Sequence, residues 1–114
     1  MMNYKDYIKN GKLILPEGFN NQLYCINDDL TKLILPEGFN STLNCCYNKL
    51  TELILPEGFN NYLDCRCNNL KELILPKGFN INNLSCDKNV KIYNWNEWLA
   101  LERERKINLI LDEL

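Results

Sequence analysis

Histidine is missing from this sequence altogether. With it go the base that activates a serine or cysteine nucleophile and the commonest zinc ligand, so Ser/His/Asp and Cys/His catalysis have no foundation here. No apolar run approaches the roughly eighteen residues that span a bilayer, and the opening Met-Met-Asn-Tyr-Lys-Asp-Tyr lacks the uninterrupted apolar stretch of a secretory signal. Neither sign of charge dominates: 13 Lys and Arg are scattered among 15 Asp and Glu, which gives no general attraction to nucleic acid or anionic lipid. What is left is one small globular domain, with no membrane and no nucleic acid among its partners and the cytosol as its default compartment. Proline and glycine are scarce, 4 and 5 in 114 residues, and their positions are the main clue. Pro16, Pro36, Pro56 and Pro76 recur every 20 residues, as do Gly18, Gly38, Gly58 and Gly78. A glycine that appears singly in each unit serves a turn and does not make a phosphate-binding loop.

Those residues belong to an octapeptide, Leu-Ile-Leu-Pro-Glu-Gly-Phe-Asn, at 13 to 20, 33 to 40 and 53 to 60, and at 73 to 80 with Lys77 in place of Glu. A fixed period of this size marks a solenoid, whose units are too small to hold a core alone and bury their apolar side by stacking. Further along each unit stand Leu23-Tyr24-Cys25, Leu43-Asn44-Cys45, Leu63-Asp64-Cys65 and, after one inserted residue, Leu84-Ser85-Cys86. Leu and Cys alternate with a varied residue, the pattern of a short strand with one buried face. Three residues beyond each Cys, Asp28, Asn48, Asn68 and Asn89 form a polar column suited to a hydrogen-bonded ladder. Leu30, Leu50 and Leu70 follow two residues later, and Lys91 breaks that column in the last unit. The tetrapeptide Leu-Pro-Glu-Gly suits a type I turn, with Pro second and Gly fourth.

The pattern Leu-x-Cys-x-x-Asn-x-Leu, as in Leu43 to Leu50, resembles the leucine-rich repeat in its shortest class of about 20 residues. That class occurs in bacterial effector proteins, and the Pro-x-Gly-Phe-Asn stretch is similar to the Phe-Asn-rich repeats of amoebae and giant viruses. One departure stands out: Phe19, Phe39, Phe59 and Phe79 lie four residues before the strand Leu, where the family's first Leu lies three before. The resemblance covers residues 12 to 92 and implies a repeat solenoid of short parallel β-strands, one per repeat, joined by extended and turn return segments. It also implies a protein-binding role for the strand face, and a host-cell cytoplasm as the site of action if the source is a virus or an effector-producing bacterium.

The remaining features divide between scaffold and surface. Cys25, Cys45, Cys65 and Cys86 fall in the inward column, where a thiol packs as a small hydrophobe. Cys46 faces outward and is the candidate reactive thiol. No Cys-x-x-Cys knuckle is present, so no metal or cofactor is expected. In the return segments one reading points Leu33 and Leu35 inward and leaves Ile14, Ile34, Ile54 and Ile74 as an apolar stripe on the back; the other is that the segment twists enough to bury all three residues. Residues 1 to 11 read as an N-terminal cap, either a short helix from Asn3 or a hairpin through Asn10-Gly11. Residues 93 to 114 read as a C-terminal capping helix, opened by Asn94 with Glu97 three later and carrying Trp95 and Trp98 onto the last rung.

The scaffold is constant while the outward strand positions vary. The triplets are Gln22/Tyr24/Ile26, Thr42/Asn44/Cys46, Tyr62/Asp64/Arg66 and Asn83/Ser85/Asp87, with Asp64 and Asp87 read as surface variation. The expected partner-binding set is Tyr24, Ile26, Asn44, Cys46, Tyr62, Asp64 and Arg66. The expected function is thus a non-catalytic protein-interaction module. Its rivals are a structural or self-associating repeat protein, a homo-oligomer formed through the Ile stripe or the C-terminal helix, and a cysteine-based metal or redox protein.

Overall fold

A computed structural model describes residues 3–113, so Met1, Met2 and Leu114 of the two expected caps lie outside the described residues. The chain winds as a β-solenoid of about four turns ending in a helix. Its front is a parallel sheet of four two-residue strands, β3 (Leu23–Tyr24), β5 (Leu43–Asn44), β6 (Leu63–Asp64) and β8 (Leu84–Ser85), stacked in that order. Their register is residue on like residue: Leu23 beside Leu43 beside Leu63 beside Leu84. The back is less continuous. β2 (Lys12–Ile14) pairs in parallel with β4 (Lys32–Ile34), and β7 (Glu72–Ile74) pairs with β9 (Lys91–Tyr93), but residues 52 to 54 join neither ladder. Beside that break lie a 260 Å³ cavity lined by Leu33 and Ile54 and a 460 Å³ cavity lined by Ile54 and Ile74.

The interior is built from columns. Leu13, Leu33, Leu53 and Leu73 face the core from the back, and Leu23, Leu43, Leu63, Cys25, Cys45 and Cys65 face it from the front. Leu30, Leu50 and Leu70 close one side. Val90, one place earlier than the misfit Lys91, closes it in the last rung. Phe19, Phe39, Phe59 and Phe79 stack at 6.2, 6.0 and 5.9 Å between centroids, nearly parallel, and Phe39 and Phe59 are fully buried. Ile14, Ile34 and Ile54 point outward, Ile54 with 73% of its surface exposed, whereas Ile74, expected in the same stripe, is partly covered in the pocket it shares with Trp95 and Trp98.

Two asparagine ladders stitch the rungs together. Asn48 is buried; its amide nitrogen donates to the carbonyls of Cys25 (2.7 Å), Cys45 (3.0 Å) and Cys46 (3.3 Å). Its Oδ1 accepts from the Leu30 and Asp28 N–H groups. One side chain thus satisfies backbone groups of two rungs that the turn leaves unpaired. Asn68 repeats the pattern one rung on. The second ladder runs through the octapeptide: Asn20, Asn40 and Asn60 each accept, through Oδ1, the backbone N–H of the next Asn, at 2.7, 2.9 and 2.8 Å.

Several expectations need correction. The turn is Pro-Glu-Gly-Phe, with Lys77 for Glu in the last copy, closed by the Phe N–H to the Pro carbonyl at 3.1 Å in all four copies. Gly38 sits at its third position with φ +83 and no other turn residue there has positive φ, so the turn is type II and a side chain at 38 is strained. The first asparagine ladder does not extend to Asn89; Asp87 takes its place, accepting the Cys67 N–H at 2.9 and 3.0 Å and the Asn68 N–H at 3.5 Å. Asp87 is therefore no mere surface variation. Cys86 and Leu84 are only partly covered, because no further rung lies above them.

Both N-terminal alternatives are realised together. A 3-10 turn, Tyr4–Tyr7, is capped by Asn3 and Asp6. It leads into β1 (Ile8–Lys9), which pairs antiparallel with β2 through Asn10 and Gly11, both at positive φ. The Tyr4 hydroxyl reaches Asp28 of the first rung at 2.8 Å. At the other end α1 (Trp95–Asp112) starts at Asn94 and Glu97, whose side chains each accept the other's backbone N–H. Its hold on the last rung is lighter than expected: no residue of α1 is buried, and Trp98 is half-covered, edge-on to Tyr93 at 5.8 Å and beneath Arg105. Phe39→Ala should therefore cost about 3 to 5 kcal/mol, whereas Trp98→Ala should cost roughly half that or less. Urea unfolding of the two variants checks this; equal losses would show that Trp98 anchors the stack after all.

Candidate interaction face

The strand face is the outer side of β3, β5, β6 and β8, and its side chains are fixed by the alternation that sends Leu and Cys inward. Tyr24, Ile26 and Tyr62 stand half-exposed on it, with 49%, 42% and 46% of their surface open to solvent. The sheet beneath is held by short bonds, the Leu23, Cys25, Leu43 and Cys45 N–H groups each meeting the next rung at 2.9 Å. Such a base holds aromatic side chains at defined spacing.

At the centre of the face lies a charged cluster that alternation alone does not foretell. Asp64 points outward from β6, yet only 3% of it is exposed, because Arg66, two residues on and on the same side, folds back over it. The guanidinium donates through Nε to Oδ1 (2.9 Å) and through Nη2 to Oδ2 (2.8 Å), a bidentate pair. These hydrogen bonds hold the Asp64 carboxyl below its usual range. Cys46, one rung earlier, is also covered, its thiol lying 3.7 Å from the Asp64 carbonyl. Burial, and next the Asp64 carboxylate, push that thiol up to about 11. Asn44 is half-buried and turns its Oδ1 to the Cys46 N–H.

The seven expected contact residues thus separate. Tyr24, Ile26, Tyr62 and the outer part of Arg66 form the accessible surface; Cys46 and Asp64 are closed over, and Asn44 is occupied locally. Cys46 is not the exposed thiol. That is Cys67, two residues past its strand.

One surface residue escaped the sequence reading. Tyr47 is 62% exposed and has φ +59. Its column, Asn27, Tyr47 and Cys67, has left-handed backbone throughout, and its N–H groups bond to the Cys46 carbonyl, the Arg66 carbonyl and the Asp87 carboxylate in turn. The signal was Asn27, a residue that tolerates this conformation and so marks the place where the chain leaves the strand. Tyr47 adds an exposed aromatic at the turn that follows the strand.

Among the described residues no three Cys, Asp or Glu side chains converge to hold a metal ion, and no helix is long and apolar enough to cross a membrane. Set beside protein-family models, curated proteins and solved structures, the chain matches none of them.

Two outcomes follow from the cluster. Asp64 has a depressed folded pKa, so its contribution is present above the usual carboxyl value of about 3.9 and is lost as pH falls through the lower folded value. The stability gap between the parent and Asp64→Asn should hold steady from about pH 7 to 5 and close below about pH 4. Urea midpoints across that range measure it, and a constant gap down to pH 2 would exclude an ionised Asp64–Arg66 pair. For the thiols, a chromogenic disulfide reagent on the native protein should modify Cys67 first and Cys86 slowly. Cys25, Cys45, Cys46 and Cys65 should react only on unfolding. Rapid modification of all six cysteines would contradict the stacked interior.

Proposed function

We propose that this chain is a non-catalytic protein-interaction module that takes a protein partner on the strand face of its solenoid. The observation that carries the reading is the exposed set Tyr24, Ile26 and Tyr62 on a sheet whose opposite face supplies the core, with Tyr47 exposed at the adjoining turn. Aromatic side chains and Arg are the types that dominate binding energy at interfaces, and large exposed apolar groups on a rigid base bring little ordering cost. The resemblance of residues 12 to 92 to short leucine-rich repeats supports the same reading, since in that family the strand face is the usual contact surface. A cytoplasmic partner fits the free thiols of the interior.

The face sets the kind of contact. Four strands at about 4.8 Å spacing span less than about 20 Å, so the partner meets a compact patch at the lower end of interface sizes. Its contact should be apolar and aromatic with one cationic point, Arg66, whose charge is already shared with Asp64. Removing the Arg66 side chain would strip Asp64 of both its charge partner and its cover, so this residue couples binding to folding.

A second reading rests on a separate observation. Ile14, Ile34 and Ile54 form an exposed apolar column on the back, and a self-associating structural protein would use it. The experiment is a Tyr24→Ala, Ile26→Ala, Tyr47→Ala, Tyr62→Ala variant, kept at Arg66, compared with the parent as bait in cell extract after circular dichroism confirms folding. Each change should cost stability about 1 kcal/mol or less, while a true anchor costs about 2 kcal/mol or more of affinity. Loss of specific partners supports the strand face; recovery of the same partners by both baits refutes it.

A further inference from the structure

The back of the solenoid carries a row of charges in one register. Lys12, Lys32, Glu52 and Glu72 hold the same place in successive rungs, two residues before the Ile column, and all four are exposed. β2 and β4 set Lys12 directly beside Lys32, where like charges on neighbouring strands repel. Residues 52 to 54 join no ladder, yet Leu53 is buried while Glu52 and Ile54 face solvent as their counterparts do. None of the ion pairs among the described residues includes any of the four. We propose that this back face binds the back face of a second copy of the chain, related by a two-fold axis that runs along the strands between the second and third rungs. The inference rests on the exposed Ile column of the self-association reading and supplies its register. The strand face, on the other side of the stack, stays free.

The order Lys, Lys, Glu, Glu is what specifies a second copy. A two-fold axis along the strands reverses the order of the rungs and keeps each column opposite itself. Lys32 then faces Glu52 of the other copy and Lys12 faces its Glu72, each pair occurring twice. An axis along the column would instead set lysine against lysine and glutamate against glutamate, an arrangement that like-charge repulsion disfavours. In the adjoining column the same operation sets Ile34 against Ile54 and Ile14 against Ile74. Trp95 and Trp98 of α1, with Ile54 and Ile74, line the 460 Å³ cavity, and Ile14, 53% exposed, is the side chain that this register brings to it. At the rim Glu17 meets Lys77, the one departure in the fourth octapeptide, and Glu37 meets Glu57, all at exposed turns where salt screens them. Lys9 and Lys91 meet beyond the row, the Lys91 ammonium turned onto its own Tyr93 ring 5.1 Å from the centroid. Four rungs at about 4.8 Å and three residues at about 3.3 Å make a patch roughly 20 by 10 Å. That is below the usual interface of about 800 Å² per partner, so the dimer is a reversible one.

Sedimentation velocity from about 5 to 500 µM reads the association, with the chain mass of 13.5 kDa as the monomer reference. The parent should move toward twice that mass within this range. Lys32→Glu alone and Glu52→Lys alone alter exposed positions and should keep their circular dichroism. Each should associate about 10-fold more weakly or worse, because each sets like charges together at two places. Mixed in equal amounts, the two variants should recover the parent's association, since both acids of one copy then face both bases of the other. A parent that stays monomeric at 500 µM overturns the proposal. Single exchanges that associate like the parent, or a mixture no tighter than its components, overturn the register. Ile54→Glu separates the two layers of the argument: if it weakens association while the charge exchanges do nothing, the Ile-column reading stands and this register falls.

Discussion

Every level of this structure depends on one constraint: parallel strands stacked in register place each residue directly beside its counterpart 20 positions away. A column can exist only if its side chain tolerates its own kind as a neighbour. Leucine and cysteine do so by packing, phenylalanine by stacking near 6 Å, and asparagine by passing a hydrogen bond from one rung to the next. A repeated charge does not, and Glu17, Glu37 and Glu57 accordingly lie at exposed turns. Inside, each kind of column solves a different problem. The leucines and phenylalanines remove apolar surface from water, while Asn48 and Asn68 satisfy the carbonyls and N–H groups that a tight turn strands between rungs.

Much of this could be read from residue order. The period, the inward Leu and Cys, the outward Ile and the two caps all follow from spacing and alternation, because these are one-dimensional properties that stacking preserves. What escaped was whatever depends on side-chain reach. Alternation places Asp64 and Arg66 on one side, but not that the guanidinium would lie back across the carboxylate and close it from solvent. The Asn20 column was legible only as turn chemistry, since a side chain accepting from the next rung's backbone requires knowledge of how closely the rungs approach there. The C-terminal helix was read as a cap from its two tryptophans. Its apolar residues occupy more than one side, and sequence order alone does not say which side meets the solenoid.

The front and back of the stack perform different work. Four front strands form an unbroken ladder, whereas the back loses its ladder at residues 52 to 54 and opens into cavities. The varied side chains stand on the side whose ladder is continuous. Rigidity and variability thus coincide on the front, where defined spacing matters for recognition. The looser back carries the nearly invariant octapeptide, whose Phe and Asn columns hold the rungs together despite the missing backbone pairing.

Asp87 shows how such an array can stop. Its carboxylate accepts the N–H groups of Cys67 and Asn68, where an internal rung would offer the carbonyl and asparagine of its successor. The terminal unit therefore carries chemistry that no internal unit needs, and an internal unit lacks what the terminus requires. Duplication of a 20-residue segment upstream of Asp87 would lengthen the array and keep its ending intact. Duplication across it would bury a carboxylate in the middle of a stack. The array thus has an interior that could take a further rung and one end that depends on the Asp87 carboxylate.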